Sequence, residues 1–553
     1  MNPKQISIIK LARKCIQYGK FEYAQLCINK LLELSEETPE ILNEVSILYA
    51  LMNFFPAAVA FVRKSFDLEK SIRTLNLLAE ANYRAGYYED SAIQFEELTN
   101  HIDDEKLYFK SAKSYENIDL YEESIRMLKS CVEKYETASA YAALVFQYIS
   151  VGMEKEAIEY SDILMRKFSN SPTTFNSFGF LYESIYNDYE KAKEYFLKAA
   201  KMGYKESYYN LGVCCKQSED FANAEKYLKR LIALKPESEM DYNYTLGSIY
   251  MAQRKVAQGY KYYKNRRSSQ ETNKRNKNHM WDGKDYPNEV LYVSQEQGFG
   301  DNIQFVRYLP DVAKKFKKVI YGVTSNLLGI FQRSFPKEEY PNIEIVENTE
   351  IVRYNKFVLI MDIPYLLHLN YHQLPQAKPY LKCSERNINL AKTNYFKTDK
   401  IKIGLNWRAK GMGLRDAVYR TIDAPYYFKE LFDIEGVDYY SFQIGDIFGM
   451  CEKYPQIKDL APNFNTFEDT AAALMNLDIL ITVDTALAHL AGALGVKTYL
   501  LLCHAPDWRW FDNTEKTEWY PSVKIIKQQD RRTWEDVSLK LVESIKNDVE
   551  ELK

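Results

Sequence analysis

Charge of one sign is what this chain lacks most plainly. Its 73 Lys and Arg face 76 Asp and Glu over 553 residues, a formal net charge of −3. Nucleic-acid binding draws on a basic surplus that neutralises phosphates, so that class of partner is excluded. Cysteine is sparse too: Cys15, Cys27, Cys131, Cys214, Cys215, Cys383, Cys451 and Cys503 are scattered, without paired metal spacing or the density of a disulfide-stapled secreted domain. A reducing cytoplasm is expected. No long apolar run occurs. The most apolar window, Leu477 to Leu502, is broken by Asp478, Asp484, His489 and Lys497, and reads as buried strand and helix rather than a transmembrane segment. The opening MNPKQISIIKLARK sets lysines inside its one apolar stretch and lacks a small-residue cleavage site, so no signal peptide is expected.

What is present begins with a folded composition, 46% hydrophobic and 27% charged, on a length that suits three or four domains. The first half repeats itself. Small residues recur at Ala24, Ala58, Ala92, Ser124, Ala157, Ala192, Ala224 and Ala257, in steps of 32 to 35 residues. Where two helices cross closely, only a small side chain lets the backbones approach, so a fixed period of small residues predicts stacked helix pairs. Around these positions the pattern thickens, as in Gly86-Tyr87-Tyr88-Glu89-Asp90-Ser91-Ala92 with Phe95, and in Leu211-Gly212, Phe221, Tyr227 and Pro236, then Leu246-Gly247 and Tyr250. The series resembles tetratricopeptide repeats, which implies a superhelix with a concave, peptide-binding face.

The pattern fails from Lys261 to Pro287, a polar, basic, turn-rich stretch that reads as a linker. Its Lys264, Arg266, Arg267, Lys274, Arg275 and Lys277 read as solvated charge. Short β-branched and aromatic runs follow. Val290 to Ser294, Lys318 to Val323, Ile343 to Val346 and Phe357 to Met361 are predicted strands, with a helix over Asp301 to Phe316. A second set comprises Ile401 to Trp407, Val437 to Gln443, Leu480 to Val483 and Thr498 to Leu502. This alternation predicts two doubly wound parallel lobes, with ligands at the carboxyl ends of the strands and in the cleft between the lobes.

Two strand-to-helix turns carry candidate chemistry. In Glu296-Gln297-Gly298-Phe299-Gly300-Asp301-Asn302, Gly298 and Gly300 let backbone approach a ligand at a helix start, although Asp301 alone is a common helix N-cap. In Val483-Asp484-Thr485-Ala486-Leu487-Ala488-His489, free amides, the Thr485 hydroxyl and the His489 imidazole suit a diphosphate, the leaving group of a nucleotide sugar. Taken singly, Asp484 and Thr485 read as caps and His489 as a satisfied helix histidine. Asp507-Trp508-Arg509-Trp510 offers indole and guanidinium planes for stacking on a ligand, or a Trp-rich plug that closes the cleft; His504 is a second candidate base.

These segments, EQGFGDNIQF, GLNW, SFQ, FEDTAA, VDTALAHLAGALG, APDWRWF and WYPSV, together resemble bacterial repeat-containing glycosyltransferases. The catalytic part of that group is similar to heptosyltransferases and more distantly to O-linked N-acetylglucosamine transferases. The resemblance implies a two-Rossmann fold of GT-B type, a nucleotide-sugar donor held mainly by the carboxy-terminal lobe, and no required metal. It places a general base on Asp301 and donor binding on Gly298, Gly300, Asn406, Gln443, Asp484, Thr485, Trp508 and the backbone of Ala486 and Leu487, with His489 beside the diphosphate. Downstream of GLNW the resemblance calls for a basic residue near the leaving group. Lys410, Arg415 and Arg420 compete for it, and Arg420-Thr421 matches the group's Arg-Ser pair. The chain departs from the group at Trp407-Arg408-Ala409-Lys410-Gly411, where small residues and glycine usually follow the tryptophan.

The expected organisation is an α-solenoid over residues 1–265, a linker over 266–287, an acceptor-side Rossmann-like lobe over 288–385, and a donor-side lobe over 386–553. The expected activity is inverting, metal-independent transfer of a sugar to a protein hydroxyl, such as that of flagellin or another surface protein. A non-catalytic repeat scaffold that binds a nucleotide sugar is the alternative.

Overall fold

The computed structural model describes all residues except 236–238, 267–271, 273–275, 375–377, 410–419, 423–424, 446–448, 512–514 and 532. It divides into two compact units, Met1–Leu211 and Gly212–Lys553.

The first unit is an array of antiparallel helix pairs, from Pro3–Gln17 with Phe21–Glu33 to Pro172–Ser184 with Tyr189–Lys201. Ala24, Ala58, Ala92, Ser124, Ala157 and Ala192 have no exposed surface, as close helix crossing requires. Asn2, Thr38, Ser71, Asp104 and Thr137 cap first helices of successive pairs through their side chains. Each pair turns through one residue in the left-handed region: Gly19, Asn53, Gly86, Asp119, Gly152 and Asn187, then Glu219 and Arg254 in the second unit. A Cβ disfavours that conformation, which explains why glycine, asparagine or aspartate fills the first six. Ile41, Val45 and Leu48 of the helix Pro39–Leu51, with Met52 just past its end, close on Ile9, Ala12, Ala24, Ile28 and Leu31 of the pair before it. Such nearest-neighbour burial, about 1.5–3 kcal/mol for a large aliphatic side chain, holds the array together.

The second unit starts inside the array rather than after residue 265. Helices Phe221–Leu234, Glu239–Ala252 and Val256–Tyr263 belong to it. Ala224 is buried as expected, but Ala257 is exposed. The last pair closes instead on Gly247 and Gly259: a Cβ on Gly247 would stand 2.7 Å from the amide nitrogen of Tyr263 and 3.0 Å from the carbonyl oxygen of Gly259. Pro236 lies outside the described residues.

Two sheets follow, parallel at every named strand pair. The first contains β1 (Tyr286–Ser294), β2 (Phe316–Val323), β3 (Ile343–Glu347) and β4 (Lys356–Leu359), in the order β3-β2-β1-β4. The second contains β5 (Ile401–Asn406), β6 (Val437–Ser441), β7 (Ile457–Asp459), β8 (Ile479–Val483), β9 (Thr498–Leu502) and β10 (Val523–Lys527), in the order β10-β9-β8-β5-β6-β7. Counted from its own first strand, the second sheet has the doubly wound 3-2-1-4-5-6 order, whose reversal between β5 and β8 opens a crevice at their carboxyl ends. The helix expected over Asp301 to Phe316 is broken into Phe299–Phe305, a 3₁₀ turn at Val306–Tyr308 and Leu309–Ala313, with Pro310 at the restart.

The segment between repeats and first sheet is not simply solvated linker. Trp281 is buried, its backbone N–H donates to the Phe357 carbonyl, and Met280 bridges Phe357. Arg266 is also buried, whereas Lys277 is exposed and Lys264 lies over the Tyr365 ring. Arg267, Lys274 and Arg275 lie outside the described residues.

Candidate active site

The reversal crevice of the second sheet is built at the ends of β5 and β8. Asn406 donates to Gln443 Oε1 (3.0 Å) and accepts from the hydroxyls of Thr482 (3.1 Å) and Thr485 (3.3 Å). Gln443 Oε1 also accepts the backbone N–H groups of Trp407 and Arg408. Asn406 and Gln443 therefore brace the loops after β5 and β6, their polar atoms engaged by protein rather than turned toward a donor. Thr485 caps the helix Ala486–Leu494 through the N–H of Leu487 (3.3 Å), and Thr485 and Ala486 retain partial exposure.

Asp484 is buried beside them, and burial first of all pushes its carboxyl up to about 6, against the pull of Arg420. Arg420 Nη1 donates to the Asp484 carbonyl at 2.8 Å and stands 4.0 Å from its carboxylate. Of the three basic residues expected near the leaving group, Arg420 is thus placed at the helix start; Lys410 and Arg415 lie outside the described residues.

His489, one turn into the helix, shares a hydrogen bond with the Tyr520 hydroxyl (2.9 Å) and stacks on Trp510 with ring centroids 5.1 Å apart. Burial, then the charges of Arg509 and Arg307, hold its pKa down to about 3. At neutral pH it is an uncharged imidazole, so any help to a diphosphate comes through a neutral N–H.

The glycine turn of the first sheet faces this same helix start. A Cβ on Gly300 would stand 2.8 Å from His489 Cδ2 and 3.3 Å from Ala486 Cα. Gly300 thus serves close approach between two helix starts, and the left-handed residue of the turn is Gln297, not a glycine. Gly298 is an exposed N-cap whose N–H donates to Asp301 Oδ2 (3.0 Å). Asp301 Oδ1 pairs with Arg509, which also donates to Asp507 (2.6 Å). Burial opposes the charge on Arg509, and Asp301 and Asp507 more than offset it.

The crevice of the first sheet, between β1 and β4, is filled from within. Arg266, just beyond the last repeat helix, pairs with Glu296 after β1 and with Asp362 after β4 (2.7 Å). Burial raises the pKa of Glu296 although Arg266 lies against it. The FEDTAA segment joins the lobes: Phe467 meets Phe299 with centroids 5.0 Å apart, and Glu468 pairs with Arg333 (2.8 Å).

Trp508 is a plug and not an open stacking face. It is 1% exposed, packed edge-on against Tyr260 and Tyr263 of the last repeat helix, with Arg509 4.5 Å over its ring. His504 is half-buried after β9, its pKa lowered by burial and by Arg531, and its backbone N–H donates to Gln528. Among the described residues no cluster of three or more His, Cys, Asp or Glu is arranged to hold a metal, and no helix is long and apolar enough to cross a membrane.

Sequence reasoning missed the Arg266–Glu296–Asp362 triad and the Arg509–Asp301 bridge. It also missed Arg307, whose guanidinium donates to the Trp519 carbonyl (3.1 Å) and the Tyr380 hydroxyl (2.9 Å). Their partners lie 30 to 212 residues away, beyond any local pattern.

The helix pairs, their period and their turns make an α-solenoid that resembles tetratricopeptide repeats, continued by two parallel sheets with helices between their strands. No family model matches the chain. Over 334 residues it is 24% identical to protein FlbA of Caulobacter vibrioides, a match covering 54% of this chain and 54% of that protein. The chain thus spans about half the length of the curated relative it matches. A solved tetratricopeptide repeat protein from Parabacteroides merdae aligns with 42% of this chain and 95% of its own, at 16% identity and a TM-score of 0.33. YrrB, described as a TPR protein with an unusual peptide-binding site, aligns with 32% of this chain and 92% of its own, at 18% identity and a TM-score of 0.25.

Proposed function

We propose that the second unit is a glycosyltransferase of GT-B type that takes a sugar from a nucleotide-sugar donor, and that the repeat array presents a polypeptide acceptor such as a surface protein or flagellin. One observation carries this reading: the turn at Gly298–Asp301 and the start of Ala486–Leu494 meet at a single place, with Gly300 against Ala486 and His489. Amides of the longer helix and Arg420 supply positive potential there for a diphosphate. The first-sheet crevice holds Arg266 instead, which leaves the second-sheet crevice to the nucleotide.

In the proposed reaction Asp301 takes the proton of an acceptor hydroxyl as its oxygen attacks the anomeric carbon, and the carbon–diphosphate bond breaks. Arg420 and the helix amides receive the departing charge. A single displacement inverts the anomeric centre. The test is transfer from labelled uridine, guanosine, adenosine and cytidine diphosphate sugars to protein in host lysate. Asp301→Asn is expected to abolish labelling while the fold persists. Normal turnover by that variant removes Asp301 from the mechanism.

A second reading, a scaffold that binds a nucleotide sugar without turnover, is favoured by the engagement of both Asp301 oxygens, one by Arg509 and one by the Gly298 amide. Binding of a nucleotide sugar without label transfer to any lysate protein would select it.

A further inference from the structure

Asp301 and Arg509 reach the cleft from different sheets. Asp301 stands in the first turn after β1, and Arg509 in the 3₁₀ turn Trp508–Trp510 that follows β9. Their side chains are 14% and 11% exposed, so the pair is shielded from most of the solvent that weakens surface ion pairs. Arg509 divides its fork: Nη2 holds Asp301, Nη1 holds Asp507 at 2.6 Å, and the guanidinium lies over the Trp508 ring. Its charge also acts on Asp484 and His489, the residues flanking the start of Ala486–Leu494. A guanidinium suits phosphate oxygens as well as it suits carboxylate oxygens, and pairs with either in a forked geometry.

Resting on the reading of this cleft as a diphosphate site, we propose that Arg509 is a donor-responsive positioning residue: it holds Asp301 until it passes its Nη2 end to an arriving diphosphate, which releases the Asp301 carboxylate toward the acceptor hydroxyl. Asp507 is the pivot that keeps the guanidinium in place during the exchange. The consequence is order. The base is presented only once a donor is bound, so an acceptor hydroxyl meets a free carboxylate only in the ternary complex.

The full chain is titrated by calorimetry with the diphosphates of uridine, guanosine, adenosine and cytidine, and the one that binds serves as the probe. Asp301→Asn removes the competitor for Nη2 and is expected to bind the probe about tenfold tighter, the scale of one charged hydrogen bond. Asp301→Glu keeps a carboxylate for Arg509 and is expected to bind near the wild-type affinity. Movement of the guanidinium off Asp301 also changes its contact with Trp508, so saturating probe is expected to alter tryptophan emission in the wild type and not in Trp508→Phe. Unchanged or weaker binding by a folded Asp301→Asn, or wild-type emission indifferent to bound probe, overturns the latch and leaves the diphosphate site standing. Failure of all four nucleotides to bind the wild type overturns the site and the latch together.

Discussion

Replacing Arg266 by methionine tests the buried triad that fills the first crevice. The arginine side chain is 1% exposed, and those of Glu296 and Asp362 are 5% and 8%. Methionine keeps much of the apolar stem and removes the charge, leaving two carboxylates in the interior without a cation. Breaking a buried ion pair on one side costs about 3–5 kcal/mol, because the stranded charge keeps its desolvation penalty. Trp281, Trp407, Trp508, Trp510, Trp519 and Trp534, all six tryptophans of the chain, lie in the second unit, so denaturant unfolding read by tryptophan emission reports on that unit. At pH 8 a loss of about 3–5 kcal/mol is expected. The pH dependence has a fixed sign. Glu296 is already raised by burial and rises further without Arg266, so the folded variant binds a proton more tightly than the unfolded chain. The stability associated with that proton is present below the unfolded carboxylate pKa and is lost as pH rises through the folded one, so the gap between variant and wild type narrows from pH 8 to pH 5. Adding Glu296→Gln and Asp362→Asn is expected to restore part of the loss. A deficit under about 1 kcal/mol at pH 8, or a gap that widens on acidification, refutes the reasoning.

Three further outcomes are expected. His489, held down to about 3, gains its proton mainly on unfolding, a difference of about 5 kcal/mol that accrues as pH rises from about 3 to 6.5; NMR of ring-labelled histidine should show no His489 titration between pH 5 and 8, and a midpoint near 6.5 would contradict this. Asp484, pushed up to about 6, acts in the opposite direction between about 4 and 6, so Asp484→Asn should make second-unit stability climb more steeply over that window, and an unchanged slope would remove Asp484 from the balance. Gly300→Ala drives a methyl to 2.8 Å from His489 and 3.3 Å from the Ala486 backbone, and is expected to lower second-unit stability by about 1–3 kcal/mol in the same emission assay, whereas Gly298→Ala, which meets only the tip of Asp301, should cost less.

The repeat array was legible because its signal is local and recurs: a small residue at nearly every crossing needs only neighbours in sequence. Ala257 misled because its pair closes on Gly247 and Gly259, where an absent side chain does what alanine does elsewhere. The main strands were legible from β-branched runs. β7, three residues at a sheet edge, offered no comparable pattern, and β10 was missed although Val523, Ile525 and Ile526 are β-branched, because Lys524 and Lys527 interrupt and end its five residues. Lys527 is buried there because Glu219, 308 residues earlier, pairs with it. The two helix starts were legible as glycine and Asp-Thr motifs. What fills the space around them was only half legible: Asp507-Trp508-Arg509-Trp510 reads equally as a stacking face or a plug, because Tyr260 and Tyr263, which cover Trp508, belong to a distant repeat.

The position of the unit boundary bears on how this protein can be cut. A fragment opened at residue 288, where the first strands were expected, discards Tyr260 and Tyr263 and bares the Trp508 ring they cover. It also removes Arg266, stranding Glu296 and Asp362 without their cation. Excising the sheets alone therefore yields a damaged object, and a piece that keeps these contacts has to carry the closing helical hairpins as structural parts of the second unit.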